Sequence, residues 1–135
     1  MIKNDKPKLL PSQRITQVCI ILFAAIAIFG GILQMFLGEP ETSPRLDNIH
    51  RFMAGIYLTC GIISFWAAIT INSQNTLIYF IALGGLLGAS GRLISMQKVG
   101  IPEPSTLWLI YLSSEIILPI IIFIAHNQTN RKLKS

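Results

Sequence analysis

The sequence predicts an all-α membrane protein, an antiparallel bundle of four transmembrane helices with both termini in the cytoplasm. Three observations carry this expectation. The 135 residues are 52% hydrophobic and only 13% charged, against about 25% charge in an ordinary soluble domain. Four apolar stretches divide the chain, each close to the ~20 residues a bilayer helix needs. Almost every Lys and Arg lies outside them. Lys3, Lys6, Lys8 and Arg14 precede the first stretch, and Arg131, Lys132 and Lys134 follow the last. Such flanks match the positive-inside rule. They also speak against nucleic acid as a partner, because the net charge of +5 is gathered at the two ends and not on one face.

The first span covers 15–37. It is far longer than the about 7–15 apolar residues of a signal peptide. A retained helix is therefore expected, with cleavage after the alanine-rich stretch as the alternative. Gly38-Glu39-Pro40 ends it. The second span covers 49–71, and Asn72-Ser73-Gln74-Asn75 is short enough to force a hairpin. The third covers 76–96, and Gly100-Ile101-Pro102-Glu103-Pro104 turns the chain into the fourth, 105–125. Apolar runs this long, without alternation, argue against strands. Residues 1–14 and 126–135 become cytoplasmic tails, and segments 39–51 and 99–104 face outward. Trp108 is expected at the outer interface and Trp66 at the inner one. Cys19 and Cys60 fall at different depths and form no CxxC, which predicts two free thiols.

Two ionisable residues stand inside the apolar spans: Arg92 near the end of the third and Glu115 well inside the fourth. Either one alone at a helix centre costs about 2.5–3.5 kcal/mol. Side chains lean toward their own helix N-terminus. In helices of opposite direction that tilt brings the two groups together, so a direct or water-bridged pair is expected. A structural clamp, a ligand or proton site, and an Arg92 that snorkels to the headgroups are the three readings. Pro119 removes the amide that would bond the Glu115 carbonyl, which places a freed acceptor beside the carboxylate. It also fits an ordinary kink.

Gly84, Gly88, Arg92 and Ser95 follow one helical stripe, bordered by Gly91. Small residues at this spacing let a neighbouring helix approach, so the stripe predicts that Arg92 faces protein. At the start of span two, Asp47 is expected as the helix N-cap. Arg51 follows it by one turn, and the two share a face with Gly55. With that face inward, Arg51 joins Arg92 in a basic outer vestibule above Glu115, with Asn48 and Ser95 adding hydrogen bonds. A capped helix end with interfacial charges is the plainer reading. His50 is expected to be wet and interfacial, with a pH-switch role as the alternative, since histidine is the side chain that changes charge near neutral pH.

His50 and His126 fall on opposite sides of the expected bundle, and no metal motif or phosphate loop is present, so neither metal nor cofactor is expected. The leading expectation is a non-enzymatic subunit. Its polar cluster, Arg92, Glu115, Arg51, Asn48, Asp47 and Ser95, would bind a small anion or a lipid headgroup, or serve assembly as a homo-oligomer or membrane complex. The alternative is a small oligomeric transporter, proton-linked through Glu115. An enzyme acting on a lipid or thiol ranks last, since no nucleophile has a defined base beside it.

Asp47-Asn48, Arg51-Phe52, Gly55 and Gly61 resemble the second-helix signature of domain-of-unknown-function family 4345. Gly84-Gly85, Gly91-Arg92-Leu93, Ser95, Gly100, Pro102 and Glu115 resemble its later motifs. The resemblance covers about 15–125. It implies a small, mostly bacterial four-helix membrane protein with no established activity, placed by that likeness in the bacterial inner membrane.

Overall fold

The computed structural model describes residues 8–135, so Lys3 and Lys6 of the N-terminal flank lie outside the described residues. The chain folds into α1 (Pro11–Leu37), α2 (Pro44–Ile69), one 3-10 turn (Ile71–Ser73), α3 (Thr76–Val99) and α4 (Ser105–Lys134). All four α-helices are long and apolar enough to cross a membrane. The helices overrun the apolar spans. α1 begins at Pro11, α2 at Pro44, and α4 continues to Lys134. Hydropathy counts apolar residues, whereas a helix runs until its backbone is capped or broken.

The end signals are local. Pro11 opens α1 at a position where the missing amide costs nothing. α1 stops at Gly38, whose φ of 60° suits a residue without a Cβ. Ser43 caps α2: its Oγ accepts from the Leu46 amide at 3.3 Å, and Pro44 follows as the first helical residue. This corrects the expectation for Asp47, which sits one turn inside the helix. Gly100, with φ 92°, ends α3.

Packing is inside-out relative to a soluble bundle. Phe29, Phe36, Phe80, Leu87 and Phe123 are exposed, whereas Ala24, Ala27, Gly31, Ala54, Gly61, Ala67, Ala68 and Ala82 are buried. Small residues let backbones approach. A Cβ on Gly31 would lie 2.8 Å from the Leu58 amide nitrogen, and one on Gly61 would lie 2.9 Å from that of Ile28. α1 and α2 therefore touch backbone to backbone. Ile20, Ile78 and Ile122 fill the centre with Ala67, Ala68, Ile71 and Ile81.

The helices are joined α2 to α1, α1 to α4 and α4 to α3, while α2 and α3 barely touch. At the end holding the 3-10 turn, polar groups bind the elements together. Ser12 and Thr129 share a 2.7 Å hydrogen bond. Gln17 Nε2 donates to the Ala68 carbonyl at 2.8 Å. His126 Nε2 reaches Asn75 Oδ1 at 3.0 Å, and Asn130 Nδ2 donates to the same oxygen at 2.9 Å and to the Tyr79 hydroxyl at 3.0 Å.

A branched side chain at Gly31 has only backbone to push against. Gly31→Val should destabilise the protein by about 1–3 kcal/mol, read as a lower melting temperature in detergent. Gly84→Ala meets nothing within 4 Å and should leave the melting temperature unchanged or slightly raised.

Candidate functional site

Arg92 and Glu115 meet directly. Arg92 Nε donates to Glu115 Oε2 at 2.7 Å and Nη2 donates to Oε1 at 3.0 Å, a two-pronged pairing of planar groups. The Glu115 side chain is 7% exposed and that of Arg92 is 29% exposed. The carboxylate is thus sealed in the bundle while one edge of the guanidinium stays open. Arg92 Nη1 finds no acceptor among the described residues. The cation also lies over two rings, 5.4 Å from the Trp108 centroid and 5.7 Å from that of Tyr111, an arrangement favoured by the negative face of each ring.

The local sequence sets this geometry. Trp108, Tyr111 and Glu115 are spaced by three and four residues, so they share one face of α4. On α3 the buried row is Ile78, Ala82, Gly85 and Ala89, continued by Arg92. Gly85 is the point of close approach: a Cβ there would sit 2.5 Å from Pro119 Cγ and 3.1 Å from Phe23. This corrects the glycine stripe. Arg92 does face protein, but through Gly85 and Ala89, while Gly84, Gly88 and Gly91 are exposed with nothing within 4 Å. Pro119 is buried and acts here as the surface on which α3 rests.

A cavity of about 330 Å³ opens beside the pair. α1 supplies Gly30, Leu33 and Gln34, with Glu39 just beyond its end; α2 supplies His50, Met53, Ala54 and Tyr57; Arg92, Trp108 and Tyr111 close it. Trp108 Nε1 is buried without a hydrogen-bond partner among the described residues. Leaving such a donor unmet costs about 1–3 kcal/mol. The cavity thus meets the open edge of the Arg92 guanidinium between aromatic and aliphatic walls, while the Trp108 N–H is buried behind its own ring. Trp108 lines this cavity with one face of its ring.

The other expected members are placed elsewhere. Arg51 pairs with Asp47, Nε to Oδ2 at 2.8 Å. Its Nη1 donates to the carbonyls of Met35 at 2.6 Å and Phe36 at 3.1 Å, and Nη2 donates to that of Leu37 at 3.3 Å. These are the last carbonyls of α1, which lack helical partners. Asp47 Oδ1 accepts from the Glu39 amide at 2.7 Å. A Cβ on Gly38 would collide with both side chains. The pair therefore fastens the end of α1 to the start of α2, and Arg51 is not part of a vestibule with Arg92. Asn48 and Ser95 are exposed and lie outside the cavity lining.

Sequence reasoning missed Gln34, Tyr57, Trp108 and Tyr111. For the two residues of α4 a signal existed, since they precede Glu115 by two turns and one turn. Among the described residues no group of three or more His, Cys, Asp or Glu side chains is placed to hold a metal. Cys19 and Cys60 are both free, the first buried and the second exposed.

The fold and site define a class: a four-helix protein of membrane-crossing helix length, with an internal Arg–Glu pair bordering an aromatic-walled cavity. Residues 15–126 match the model of the family described as "Domain of unknown function (DUF4345)". The chain belongs to that family. No curated protein and no solved structure matches it.

Breaking one half of a buried pair typically costs 3–5 kcal/mol. Arg92→Ala and Glu115→Ala should each destabilise by about that order, and the double variant should lose less than their sum by about 1–3 kcal/mol. Additive losses in detergent unfolding would show that the groups are not coupled. Arg51→Ala should cost about 1–2 kcal/mol, with hydrogen exchange rising at the amides of 36–39.

Proposed function

We propose that this chain is a multi-pass integral membrane protein that binds a small anion or an anionic lipid headgroup beside Arg92, without catalysing a reaction. The four helices run antiparallel in this reading, with both chain ends on the cytoplasmic side. Contact register supports the directions: Ile28 lies against Gly61 and Gly31 against Leu58, so numbers rise along α1 as they fall along α2. The Ser12–Thr129 bond places the start of α1 and the end of α4 together. Arg14, Arg131, Lys132 and Lys134 cluster in the sequence at those same ends, as cytoplasmic flanks do. The large exposed side chains are apolar, which suits a lipid surface.

The observation that carries the binding reading is the unfilled donor capacity at the cavity wall. Glu115 takes two of the five guanidinium N–H groups. It balances the charge and orients the fork, which leaves Nη1 without an acceptor among the described residues, and Arg92 and Trp108 both line the cavity, the Trp108 Nε1 buried and unmet. An oxyanion supplies acceptors to both kinds of donor. With Arg51 committed to α1, Arg92 is the cation that a ligand meets, and His50 and Glu39 are the other ionisable residues on the lining.

Binding can be followed by the melting temperature of purified protein titrated with inorganic phosphate or with dihexanoyl phosphatidic acid. Saturating shifts are expected for wild type. Arg92→Gln/Glu115→Gln removes both charges while leaving a polar amide on each helix, and should weaken binding at least tenfold. Trp108→Phe keeps an aromatic face but removes the indole N–H and part of the wall, and should weaken it several-fold. Equal titrations for wild type and both variants would remove the site.

A further inference from the structure

On α3, Leu77, Ile81, Gly84, Gly88, Gly91 and Ser95 form one helical row, alternating steps of four and three. Its first two members pack on the core that contains Ala67, Ala68 and Ile71 of the α2 side. The row therefore faces α2. From Gly84 onward it is exposed, and a Cβ at Gly84, Gly88 or Gly91 meets nothing within 4 Å. Starting from Ile71 of the 3-10 turn, the row Ala67, Ser64, Cys60, Tyr57 and Met53 of α2 behaves in the same way. Ile71, Ala67 and Ser64 are buried, Tyr57 is half-buried, and Cys60 and Met53 are exposed. On both walls the row is buried near the hairpin turn and opens farther from it, first at Gly84 on α3 and at Cys60 on α2.

The two helices thus diverge into a slot walled by glycine backbone on one side and by Cys60, Tyr57 and Met53 on the other. Seven residue steps along either helix, 84 to 91 or 53 to 60, span about 10 Å. Met53 and Tyr57 also line the Arg92 cavity, so one face of α2 borders both the slot and the cavity. The slot is apolar along its length and opens away from the bundle; the cavity at its head carries the free guanidinium edge.

We infer that the ligand is a membrane lipid with an anionic phosphate headgroup, held with its phosphate at Arg92 and an acyl chain lying between α2 and α3 along Gly84, Gly88 and Gly91. The inference rests on the anion site proposed above and specifies what fills it. A free anion uses only the head of this space. A lipid satisfies the charge at the cavity and covers the bare glycine backbone below it, and it enters sideways from the bilayer without crossing the polar end of the bundle.

The test uses the full chain in phosphatidylcholine nanodiscs with phosphatidic acid carrying a photoactivatable diazirine on one acyl chain. Crosslinked peptides are mapped by mass spectrometry, and bound lipid is counted by native mass spectrometry. Wild type should retain one phosphatidic acid per protomer, crosslinked within 53–60 of α2 and 84–91 of α3. Gly88→Leu projects into open space, so the fold tolerates it. That variant should lose at least tenfold of the retained lipid while binding dihexanoyl phosphatidic acid as wild type does. Gly84→Leu gives the same reading at a second position, and circular dichroism checks the fold of both. Full lipid retention in both leucine variants, or crosslinks spread evenly over the lipid-facing surface, would overturn the inference. So would wild type that binds inorganic phosphate and short-chain lipid but retains no long-chain lipid, which leaves the anion site standing. Loss of short-chain binding in wild type itself would overturn the anion site as well.

Discussion

One ion pair determines how the rest of the bundle is arranged. Glu115 is buried, and a buried carboxylate needs its partner and its hydrogen bonds in place. Arg92 supplies both through two parallel N–H···O contacts. To do so α3 must lie close to α4, which Gly85 permits by yielding room to Pro119. The rings of Trp108 and Tyr111 then sit against the same cation. Their bulk keeps neighbouring helices apart at that level and leaves the cavity. Pair, close approach and cavity are one arrangement seen at three distances.

Much of this was legible in the sequence, for identifiable reasons. Hydropathy marks the four long helices because their apolar runs are uninterrupted. The cost of an unpaired charge among apolar residues marks Arg92 and Glu115 as partners before any coordinates are seen. What stayed hidden depends on rotation and on competing acceptors. Gly84 and Gly85 are adjacent and chemically identical, yet only Gly85 bears on α4; a turn of 100° decides between them. Asp47 looked like a cap, but Ser43-Pro44 lies four residues earlier and uses the stronger pairing of a hydroxyl cap with a first-turn proline. Arg51 looked free because the carbonyls it binds belong to another helix.

The two ends of the bundle are held by different chemistry. Near the 3-10 turn, neutral amides and hydroxyls form a connected network through Asn75, His126, Asn130 and Tyr79. At the opposite end charged groups do the work: Asp47 and Arg51 gather the last carbonyls of α1, and Arg92 holds Glu115. Residues 126–134, read from composition as a basic tail, continue α4 and contribute His126, Thr129 and Asn130 to the neutral network. The helical periodicity of the polar residues there was masked by the lysines and arginine around them.

The pattern of these fastenings has a mechanical corollary. α1 and α2 are pinned to each other at both extremities, through Gln17–Ala68 and through Arg51. α3 and α4 are likewise pinned twice, through Asn75–His126 and through Arg92–Glu115. The molecule therefore consists of two stiff covers bound along a spine where α1 meets α4. The two covers share the core of Ile20, Ile71, Ile78 and Ile122 and the turn that joins α2 to α3, so only the fore-edge beyond that turn is left without a fastening of its own.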